Sequence, residues 1–431
     1  MASRLVKPTK KFAGSPAVPG DKSVSHRGLI FGALSTGTTV ITSLLNSGDV
    51  NSTASCLRQM GATIENRMEN GIRKTFVTGL GERGLQSPAQ VLDCGNSGTT
   101  MRLLMGVLCG IPGFKAQMTG DSSLVKRPMK RVAEPLRQMG GGFELTGNDF
   151  APLTVSGHRL KAIEYELKIA SAQIKTAIVM AALQAEGTTR IFGEVHSRDH
   201  TERLLNHFGV EVHSNAHEIK IPGGQKFIAN KLNVPSDPST AAFWLAGACL
   251  VSGSKLELRN VSLNKTRIGF VRALEKMGAK IDLIMTEENP EPMGTIRITP
   301  GPLRGITLAE SEIPSLIDEL PMLAVLATQA HGVTEVTGAE ELRVKETDRI
   351  EAVATNLRAM GAVIETRPDG FKIVGPQKLR GAVINSFHDH RIAMAFSIAT
   401  LIASSESTIE GSECVGISYP EFFDTLDELT K

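Results

Sequence analysis

The stretch LRQMGATIE (57–65) joins the end of an apolar helix to a glycine and then to an alternating, strand-like run. A glycine directly after a helix adopts the left-handed backbone conformation at low cost, so this order predicts a helix stop followed by a strand. The phrase returns as LRQMGGGFE (136–144), LNHFGVEVH (205–213), LEKMGAKID (274–282) and LRAMGAVIE (357–365), and more weakly as FFDTLDELTK (422–431). This recurrence indicates a chain built from a repeated unit.

A second set of segments alternates with this phrase. Each segment begins with polar residues, continues as a helix that is apolar around nearly its whole circumference, and leads into a strand rich in Thr, Val and Ile. The six segments begin at Lys22, Gly95, Ser171, Ser236, Asp318 and Asp389. Apolar residues on every side indicate a buried helix. The combined unit returns about every seventy residues, which is longer than the common solenoid repeats and typical of a small α/β layer.

The repeats also suggest where the domains divide. Six units fill the chain, and three units per domain is the natural split. NVPSDPST (233–240) carries two prolines and is the best boundary, while Gly20 marks a second point at which the chain could cross. We therefore expect an N-terminal domain over 21–236 and a C-terminal domain made of 1–20 plus 237–431, joined by two linkers that act as a hinge. The predicted fold class is α/β.

The composition argues against several classes of partner. A net charge of +2 and an aromatic content of 4% offer neither the positive field nor the stacking side chains of a nucleic-acid-binding protein. The longest apolar runs are shorter than the roughly 20 residues that a membrane span requires. Five widely spaced cysteines without a CxxC pair indicate a reducing compartment. We expect a cytoplasmic protein that binds neither nucleic acid nor a membrane.

Cations recur at the polar starts of the predicted helices. They are Lys22, Arg27, Arg127, Lys345, Arg349 and Arg391. A helix N-terminus carries unpaired N–H groups and partial positive charge, so a cation placed there is repelled unless an anion binds. GDKS (20–23) resembles the end of a P-loop but lacks the first glycine of that motif. If the units pack alike, their helix N-termini point the same way and form an anion site without a nucleotide loop.

Two carboxylates lie among these cations. Glu346 stands between Lys345 and Arg349 in RVKETDR (343–349), and Asp318 begins a helix that is otherwise apolar. One interpretation is a surface helix with ion pairs, worth a few tenths of a kcal/mol. The functional interpretation is a general acid inside an anion site. Glu346 would be ionised in the empty site, and a multiply charged ligand would raise its pKa so that the substrate loads its own acid.

A metal site is a weaker interpretation of other residues. His196 and His200 are four residues apart and His207 follows, but the HExxH pattern and nearby cysteine ligands are absent from the sequence. We therefore expect no metal and no cofactor.

Nine motifs, in order over essentially the whole chain, resemble those of the EPSP synthase (3-phosphoshikimate 1-carboxyvinyltransferase) family. They are PGDKSVSHR, GNSGTTMR, KRPM, SAQIKTA, SRDHTE, DELPMLAV, ELRVKETDR, DHRIAM and SYPEFFDTL. The resemblance implies two inside-out, barrel-like α/β domains, each of three βαβαββ units, that close around an interdomain cleft. It also implies transfer of the enolpyruvyl group of phosphoenolpyruvate (PEP) to the 5-hydroxyl of shikimate 3-phosphate by addition and elimination, with release of phosphate. This is a step of chorismate and aromatic amino-acid synthesis.

The resemblance also assigns residues to the two substrates. By similarity, shikimate 3-phosphate would be held by Lys22, Ser23, Arg27, Ser171, Ala172, Gln173, Arg198, Asp318 and Lys345. PEP would be held by Lys22, Gly98, Arg127, Gln173, Arg349 and Arg391. The catalytic residues would be Asp318, Glu346 and Lys22: Glu346 protonates the PEP methylene, Asp318 takes the hydroxyl proton, and Lys22 stabilises charge at the bridging oxygen or phosphate. The division of roles between Asp318 and Glu346 stays open.

Two positions bear on the PEP site, and the first of them departs from the pattern of another class of the family. Ile417 stands where another class of the family carries a PEP-contacting lysine, so that contact is lost or supplied elsewhere. Gly98 lacks the methyl group that blocks glyphosate in naturally tolerant members, which predicts a sensitive enzyme and a glyphosate target.

Two other functions remain as alternatives, and a monomer is expected for each. UDP-N-acetylglucosamine enolpyruvyl transferase has the same architecture but usually carries a reactive cysteine in a loop of its second unit, where this chain reads GDSSLVKRPM (120–129). A non-catalytic repeat scaffold could bind a polyanion through its cations. The two carboxylates within the cation cluster argue against the scaffold because they would repel a polyanion.

Overall fold

The computed structural model describes residues 2–431, and its helices alternate between two kinds. Odd-numbered helices are buried on nearly every side, whereas most even-numbered helices bury one face. The helices are α1 (Lys22–Leu34), α2 (Gly48–Gln59), α3 (Gly98–Leu108), α4 (Lys130–Gln138), α5 (Ala172–Ala182), α6 (His200–His207), α7 (Pro238–Leu250), α8 (Gly269–Met277), α9 (Leu320–Ala327), α10 (Arg349–Ala359), α11 (His390–Thr400) and α12 (Phe422–Thr430). The prediction of six buried helices is confirmed.

The strands are short, and they fall between or after the helices of each pair. The first eleven are β1 (Ser3–Val6), β2 (Ala13–Gly14), β3 (Thr38–Thr42), β4 (Thr63–Glu69), β5 (Ile72–Thr78), β6 (Leu92–Asp93), β7 (Lys115–Thr119), β8 (Gly142–Thr146), β9 (Phe150–Ser156), β10 (Glu164–Leu167) and β11 (Thr188–Gly193). The others are β12 (His213–Ser214), β13 (Glu218–Pro222), β14 (Lys231–Asn233), β15 (Lys255–Ser262), β16 (Lys280–Glu287), β17 (Met293–Thr299), β18 (Gly332–Val336), β19 (Glu365–Arg367), β20 (Gly370–Gly375), β21 (Val383–Asn385) and β22 (Ser407–Glu410).

The chain divides into two compact units. The N-terminal unit comprises Gly20–Val234 with Asn289–Glu291, and the C-terminal unit comprises Met1–Pro19, Pro235–Glu288 and Pro292–Lys431. Each unit has its own core of aliphatic side chains with a few aromatic rings. The start of the chain belongs to the C-terminal unit, because β1 pairs with β22 and β2 pairs with β15.

The three sheets of the N-terminal unit share one plan. Their strand orders are β14-β3-β5-β4, β6-β7-β9-β8 and β10-β11-β13-β12. In each sheet the first two strands are parallel and the remaining neighbours are antiparallel. A mixed sheet with helices between its strands is the α/β architecture that the repeats predict.

The C-terminal unit repeats the plan with more variation. Its sheets have the orders β16-β17-β15-β2, β18-β20-β19 and β1-β22-β21. Two of them keep the parallel pair, β2 with β15 and β21 with β22, while in the third two isolated parallel bridges, Arg304 to His331 and Thr307 to Glu335, lie at β18 instead.

The glycine of the repeated phrase ends a helix in every full copy. Its φ angle is positive at Gly61, Gly140, Gly209, Gly278 and Gly361, with values of 101°, 107°, 76°, 109° and 88°. An L side chain at these positions would be strained, whereas glycine is not. The predicted helix stop is therefore confirmed at all five positions.

The strand predicted after the stop is shorter than expected in two copies. In LNHFGVEVH the strand begins only at His213, because Gln225 replaces a neighbouring strand: its Oε1 accepts from the Glu211 N–H at 2.7 Å and its Nε2 donates to the Glu211 carbonyl at 2.9 Å. Gln377 does the same for Val363, at 2.7 and 3.0 Å. Side-chain amides satisfy the backbone here, so no ladder is needed.

None of the helices in residues 2–431 is both long and apolar enough to cross a membrane.

Candidate functional site

The helix N-termini of the N-terminal unit are joined by polar side chains. Lys22, in the first turn of α1, donates to Asp49 of α2 at 2.9 Å. His26 Nδ1 lies 2.7 Å from the Thr53 hydroxyl of α2, and Thr53 is 2.6 Å from the Thr100 hydroxyl of α3. These bonds bring the starts of three helices to one place, as the repeat predicts.

Gln173 connects α5 to α3. Its Nε2 donates to the Thr99 hydroxyl at 3.0 Å, and its Oε1 accepts from Arg102 Nη1. Arg102 Nη2 also donates to the carbonyl of Pro128, just before α4, at 3.2 Å. The amide of Gln173 is therefore held at the surface formed by the N-termini of α3 and α5.

Arg27 is buried where α1, α5 and α6 meet. Its Nε donates to the Thr201 hydroxyl and its Nη2 to the Thr176 hydroxyl, each at 2.8 Å, and its Nη1 donates to the Ser23 carbonyl at 3.0 Å. It forms no ion pair with a carboxylate anywhere in 2–431. Burial, with a smaller contribution from the charge of Arg198, lowers the pKa of Arg27 to about 10 against the opposing charges of Glu202, Asp21 and Glu291.

Gly98 is the first residue of α3, and two arginines surround it. A Cβ at Gly98 would lie 2.9 Å from Arg102 Nη1 and 3.6 Å from Arg127 Nη1. Arg127 Nη2 donates to Asn96 Oδ1 at 2.9 Å and to the Ser123 hydroxyl at 3.2 Å. Because Gly98 has no side chain, the Arg102 guanidinium lies close to the N-terminus of α3 and Arg127 lies nearby, an arrangement suitable for an anion.

The start of α5 carries three further residues of the predicted substrate set. Ser171 is the N-cap, and its hydroxyl accepts from the Ile174 N–H at 3.4 Å. Ala172 and Gln173 are the first two residues of the helix. Arg198 is half-buried in the turn before α6.

The C-terminal unit contains a different cluster, centred on Arg349 at the start of α10. Its guanidinium is 1% exposed and contacts three carboxylates: Nε donates to Asp389 Oδ2 at 2.7 Å, Nη2 to Glu346 Oε2 at 2.7 Å, and Nη1 to Asp318 Oδ1 at 3.2 Å. Burial alone would lower the pKa of Arg349, but the charges of Asp389, Glu346 and Asp318 outweigh burial and raise it.

Asp318 collects the remaining cations of this cluster. Lys345 Nζ is 3.5 Å from Asp318 Oδ1, and Arg391 Nη2 is 3.7 Å from Oδ2. Arg391 Nη1 also donates to the Asp318 carbonyl at 3.2 Å. Asp318 is therefore the shared carboxylate partner of Lys345, Arg349 and Arg391. The surface-helix interpretation of Glu346 is wrong, because its partner Arg349 is buried.

The structure thus brings the predicted residues together in two groups. The N-terminal unit contains Lys22, Ser23, Arg27, Gly98, Arg127, Ser171, Ala172, Gln173 and Arg198, and the C-terminal unit contains Asp318, Lys345, Glu346, Arg349 and Arg391. Ile417 packs against the aliphatic core of the C-terminal unit. The histidines of the metal alternative are separate: His200 Nδ1 lies 2.8 Å from Glu291 Oε1, and His207 Nε2 lies 2.7 Å from the Lys231 carbonyl.

Sequence reasoning missed Arg102 and Asp389. Arg102 contacts Gln173 and lies next to Gly98, while Asp389 contacts Arg349 as closely as Glu346 does, at 2.7 Å. Both residues were visible as a signal, since each is a charged residue at the polar start of a buried helix. What the sequence does not show is the partner that each one meets.

The fold and the two clusters together define a class of protein: a repeat-built α/β enzyme that binds small molecules with several negative charges. A family model described as EPSP synthase (3-phosphoshikimate 1-carboxyvinyltransferase) matches residues 6–426. The chain belongs to this family, and it is a transferase of the shikimate pathway. The family match decides against UDP-N-acetylglucosamine enolpyruvyl transferase and against a non-catalytic scaffold.

Named relatives agree with the family model. The 3-phosphoshikimate 1-carboxyvinyltransferases of Bacillus thuringiensis and Bacillus cereus are each 46% identical to this chain over 434 residues, with 100% of both chains covered. Two solved structures of EPSP synthase from Acinetobacter baumannii match with TM-scores of 0.87 and 0.85, at 42% and 41% identity. Each match covers 99% of this chain and 98% of the other.

Proposed function

We propose that the two clusters divide the work of the family's reaction, which joins the enolpyruvyl group of PEP to shikimate 3-phosphate and releases phosphate. In this proposal the N-terminal cluster mainly holds the charged groups of the substrates, and the C-terminal cluster mainly moves protons. Shikimate 3-phosphate is held by Lys22, Ser23, Arg27, Ser171, Ala172, Gln173, Arg198, Asp318 and Lys345. PEP is held by Lys22, Gly98, Arg127, Gln173, Arg349 and Arg391.

The observation that carries the proposal is the carboxylate pair on one guanidinium. Asp318 and Glu346 both contact Arg349, at 3.2 and 2.7 Å, so two proton-transfer groups are fixed next to each other. A general acid or base that is positioned within hydrogen-bond reach of a substrate typically accelerates a proton-transfer step by about 100-fold or more. A buried arginine with carboxylate partners also holds their geometry more firmly than a surface ion pair does.

The proposed steps follow from these positions. The 5-hydroxyl oxygen of shikimate 3-phosphate attacks C2 of PEP, and Asp318 takes the proton of that hydroxyl. At the same time Glu346 delivers a proton to the methylene carbon C3. This addition gives a tetrahedral intermediate. In the elimination, C3 returns a proton to Glu346 and the bond between C2 and the phosphate oxygen breaks. Lys22 stabilises the charge that develops on the departing phosphate, and that phosphate takes up the proton that Asp318 received, so both carboxyl groups return to their starting states.

The test is Glu346→Gln, which keeps the shape of the side chain but cannot donate or accept the same proton. We expect turnover to fall at least about 100-fold while shikimate 3-phosphate binding, measured by calorimetry, stays within about twofold. Glu340→Gln is the matched control, because Glu340 is an exposed carboxylate in the short 3-10 helix just before this segment. Near wild-type turnover in Glu346→Gln would reject the acid role.

Inhibition by glyphosate is part of the proposal. A methyl group at Gly98 would lie 2.9 Å from Arg102 Nη1, and its absence leaves the anion site unobstructed for a phosphonate that competes with PEP. Steady-state inhibition at several PEP concentrations checks this point, and a pattern that is not competitive with PEP would contradict it.

The cytoplasm as the place of action and a monomeric state are proposals too. All five cysteines are free thiols, which fits a reducing compartment. Sedimentation at micromolar concentration tests the monomer, and a dimer mass would refute it.

A further inference from the structure

Lys175 is a buried cation in an otherwise aliphatic part of α5. Its side chain is 1% exposed, and the residues that follow it in the helix are apolar or small. A buried ammonium group is costly unless it is paired and hydrogen-bonded. None of the roles proposed above uses this lysine.

The ammonium group of Lys175 meets three acceptors. Its Nζ is 2.7 Å from Glu202 Oε1, 3.4 Å from the Ser197 carbonyl and 3.5 Å from the Val195 carbonyl. An ammonium group has three N–H donors, so each donor has one acceptor within reach. The two carbonyls come from a loop, and the carboxylate comes from the helix that follows it.

That loop carries Arg198. It runs from the end of β11 at Gly193 to the start of α6, and it forms two tight backbone bonds: Val195 N–H to the Gly193 carbonyl at 2.7 Å and Ser197 N–H to the Val195 carbonyl at 2.8 Å. Arg198 directly follows Ser197, so the contacts of Lys175 fix the backbone from which Arg198 projects. Lys175 itself belongs to the first turn of α5, so its contacts join this turn to the loop.

A role in stability alone explains these contacts poorly. Glu202 Oε2 is buried and accepts no hydrogen bond from any residue in 2–431, so the pair carries an unmet desolvation cost. Apolar residues of similar volume often replace such pairs with no loss of stability. The structure therefore keeps a costly ion pair at the point where two substrate-binding segments meet.

We propose that Lys175 is a positioning residue for shikimate 3-phosphate, because it ties the turn of Arg198 to the helix start that carries Ser171, Ala172 and Gln173. The inference rests on the proposed function, in which these residues hold that substrate. It predicts a selective effect: loss of Lys175 loosens the backbone at Arg198 and weakens the binding of shikimate 3-phosphate. The binding of PEP and the rate of the proton-transfer steps should not change.

The test is the double variant Lys175→Met/Glu202→Leu, which removes both charges and fills the same space, so that folding is maintained. We expect the KM for shikimate 3-phosphate to rise about tenfold, the loss of one moderate charge-assisted hydrogen bond. We expect kcat and the KM for PEP to stay within about twofold. Lys175→Met alone, which leaves Glu202 buried and unpaired, should show the same KM change with a lower Tm.

Arg267→Met is the matched control. Arg267 is 2% exposed and pairs with Asp237 at 3.0 Å in the C-terminal unit, so its loss removes a buried ion pair that none of the proposed roles uses. It should lower Tm without changing the KM for shikimate 3-phosphate. An unchanged KM in Lys175→Met/Glu202→Leu, or a parallel change in both KM values and kcat, would overturn the positioning role.

A double-mutant cycle with Arg198→Ala separates this inference from the proposed function. If Lys175 acts through Arg198, adding the Lys175→Met/Glu202→Leu changes to Arg198→Ala raises the KM by less than about twofold more. Additive effects would overturn the positioning role. If Arg198→Ala leaves the KM unchanged, the proposed role of Arg198 is wrong and the inference falls with it. If Arg198→Ala raises the KM and Lys175→Met/Glu202→Leu does not, only the inference is wrong.

Discussion

Arg27 and Arg349 are both buried arginines near the N-terminal end of a helix, yet their surroundings are opposite. Arg27 donates to two threonine hydroxyls and a backbone carbonyl, and burial lowers its pKa to about 10. Arg349 donates to three carboxylates, whose charges raise its pKa. No carboxylate contacts Arg27 directly to neutralise its positive charge. Arg349 contacts three carboxylates, whose negative charges exceed its single positive charge.

The difference shows how one residue type can serve two purposes. An arginine held by neutral groups is placed correctly but still attracts an anion, so Arg27 suits a substrate group. An arginine surrounded by carboxylates orders those carboxylates for proton transfer, so Arg349 suits this task in addition to its proposed contact with PEP. The same residue type thus lies among neutral acceptors in one unit and among carboxylates in the other.

The largest expected effect is on stability, and it should come from removing Arg349. Arg349→Met leaves three carboxylates without their shared partner, and we expect it to lower the free energy of unfolding by about 3–5 kcal/mol. Urea unfolding measures the loss. Arg349→Met/Asp389→Asn should recover part of it, because Asn still caps α11 but carries no charge. A loss under about 1 kcal/mol would show that Arg349 does not hold the cluster together.

Removing Arg27 should weaken binding more than stability. In Arg27→Met an apolar side chain takes the place of a guanidinium that no carboxylate contacts directly. Thr176 and Thr201 keep their mutual hydrogen bond of 2.6 Å. We expect the free energy of unfolding to change by less than about 1 kcal/mol and the affinity for shikimate 3-phosphate to fall about 10- to 100-fold. Calorimetry and urea unfolding measure the two quantities. Arg190→Met, at a half-exposed arginine of the same unit, should leave affinity unchanged.

The smallest effect concerns His26, the neighbour of Arg27. Burial, followed by the charges of Lys22 and Arg27, lowers the pKa of His26 well below 6.5, against the opposing charge of Asp21. The unfolded chain therefore binds a proton below about pH 6.5 that the folded protein does not, so stability falls as pH drops from that value toward the lowered pKa. The slope is at most about 1.4 kcal/mol per pH unit.

Urea unfolding of the wild type and His26→Gln at pH 7.5 and 5.5 isolates this contribution. The variant should lose less stability on acidification than the wild type. His213→Gln is the control, because His213 is exposed in the same unit and should leave the slope as it is. Equal slopes in the wild type and His26→Gln would mean that His26 takes up a proton in the folded protein.

Much of the fold followed from local sequence. The apolar helices and the glycine stops were predicted because burial and φ preferences are encoded in neighbouring residues. The two shortened strands were not predicted, since their hydrogen-bond partners, Gln225 and Gln377, lie 14 residues further along the chain. An amide side chain that replaces a strand leaves no periodic pattern.

The sequence by itself determined the six repeats, the buried helices and the presence of cations at helix starts. Only the tertiary structure decided which partners those cations meet. Arg27 donates to Thr201, which lies 174 positions further along the chain, and Arg349 donates to Asp389, which lies 40 positions further along. Lys175 donates to a carbonyl of the turn that carries Arg198. The physical reason is that helix stops and amphipathicity depend on adjacent residues, whereas charge compensation depends on groups that only folding brings within hydrogen-bond distance.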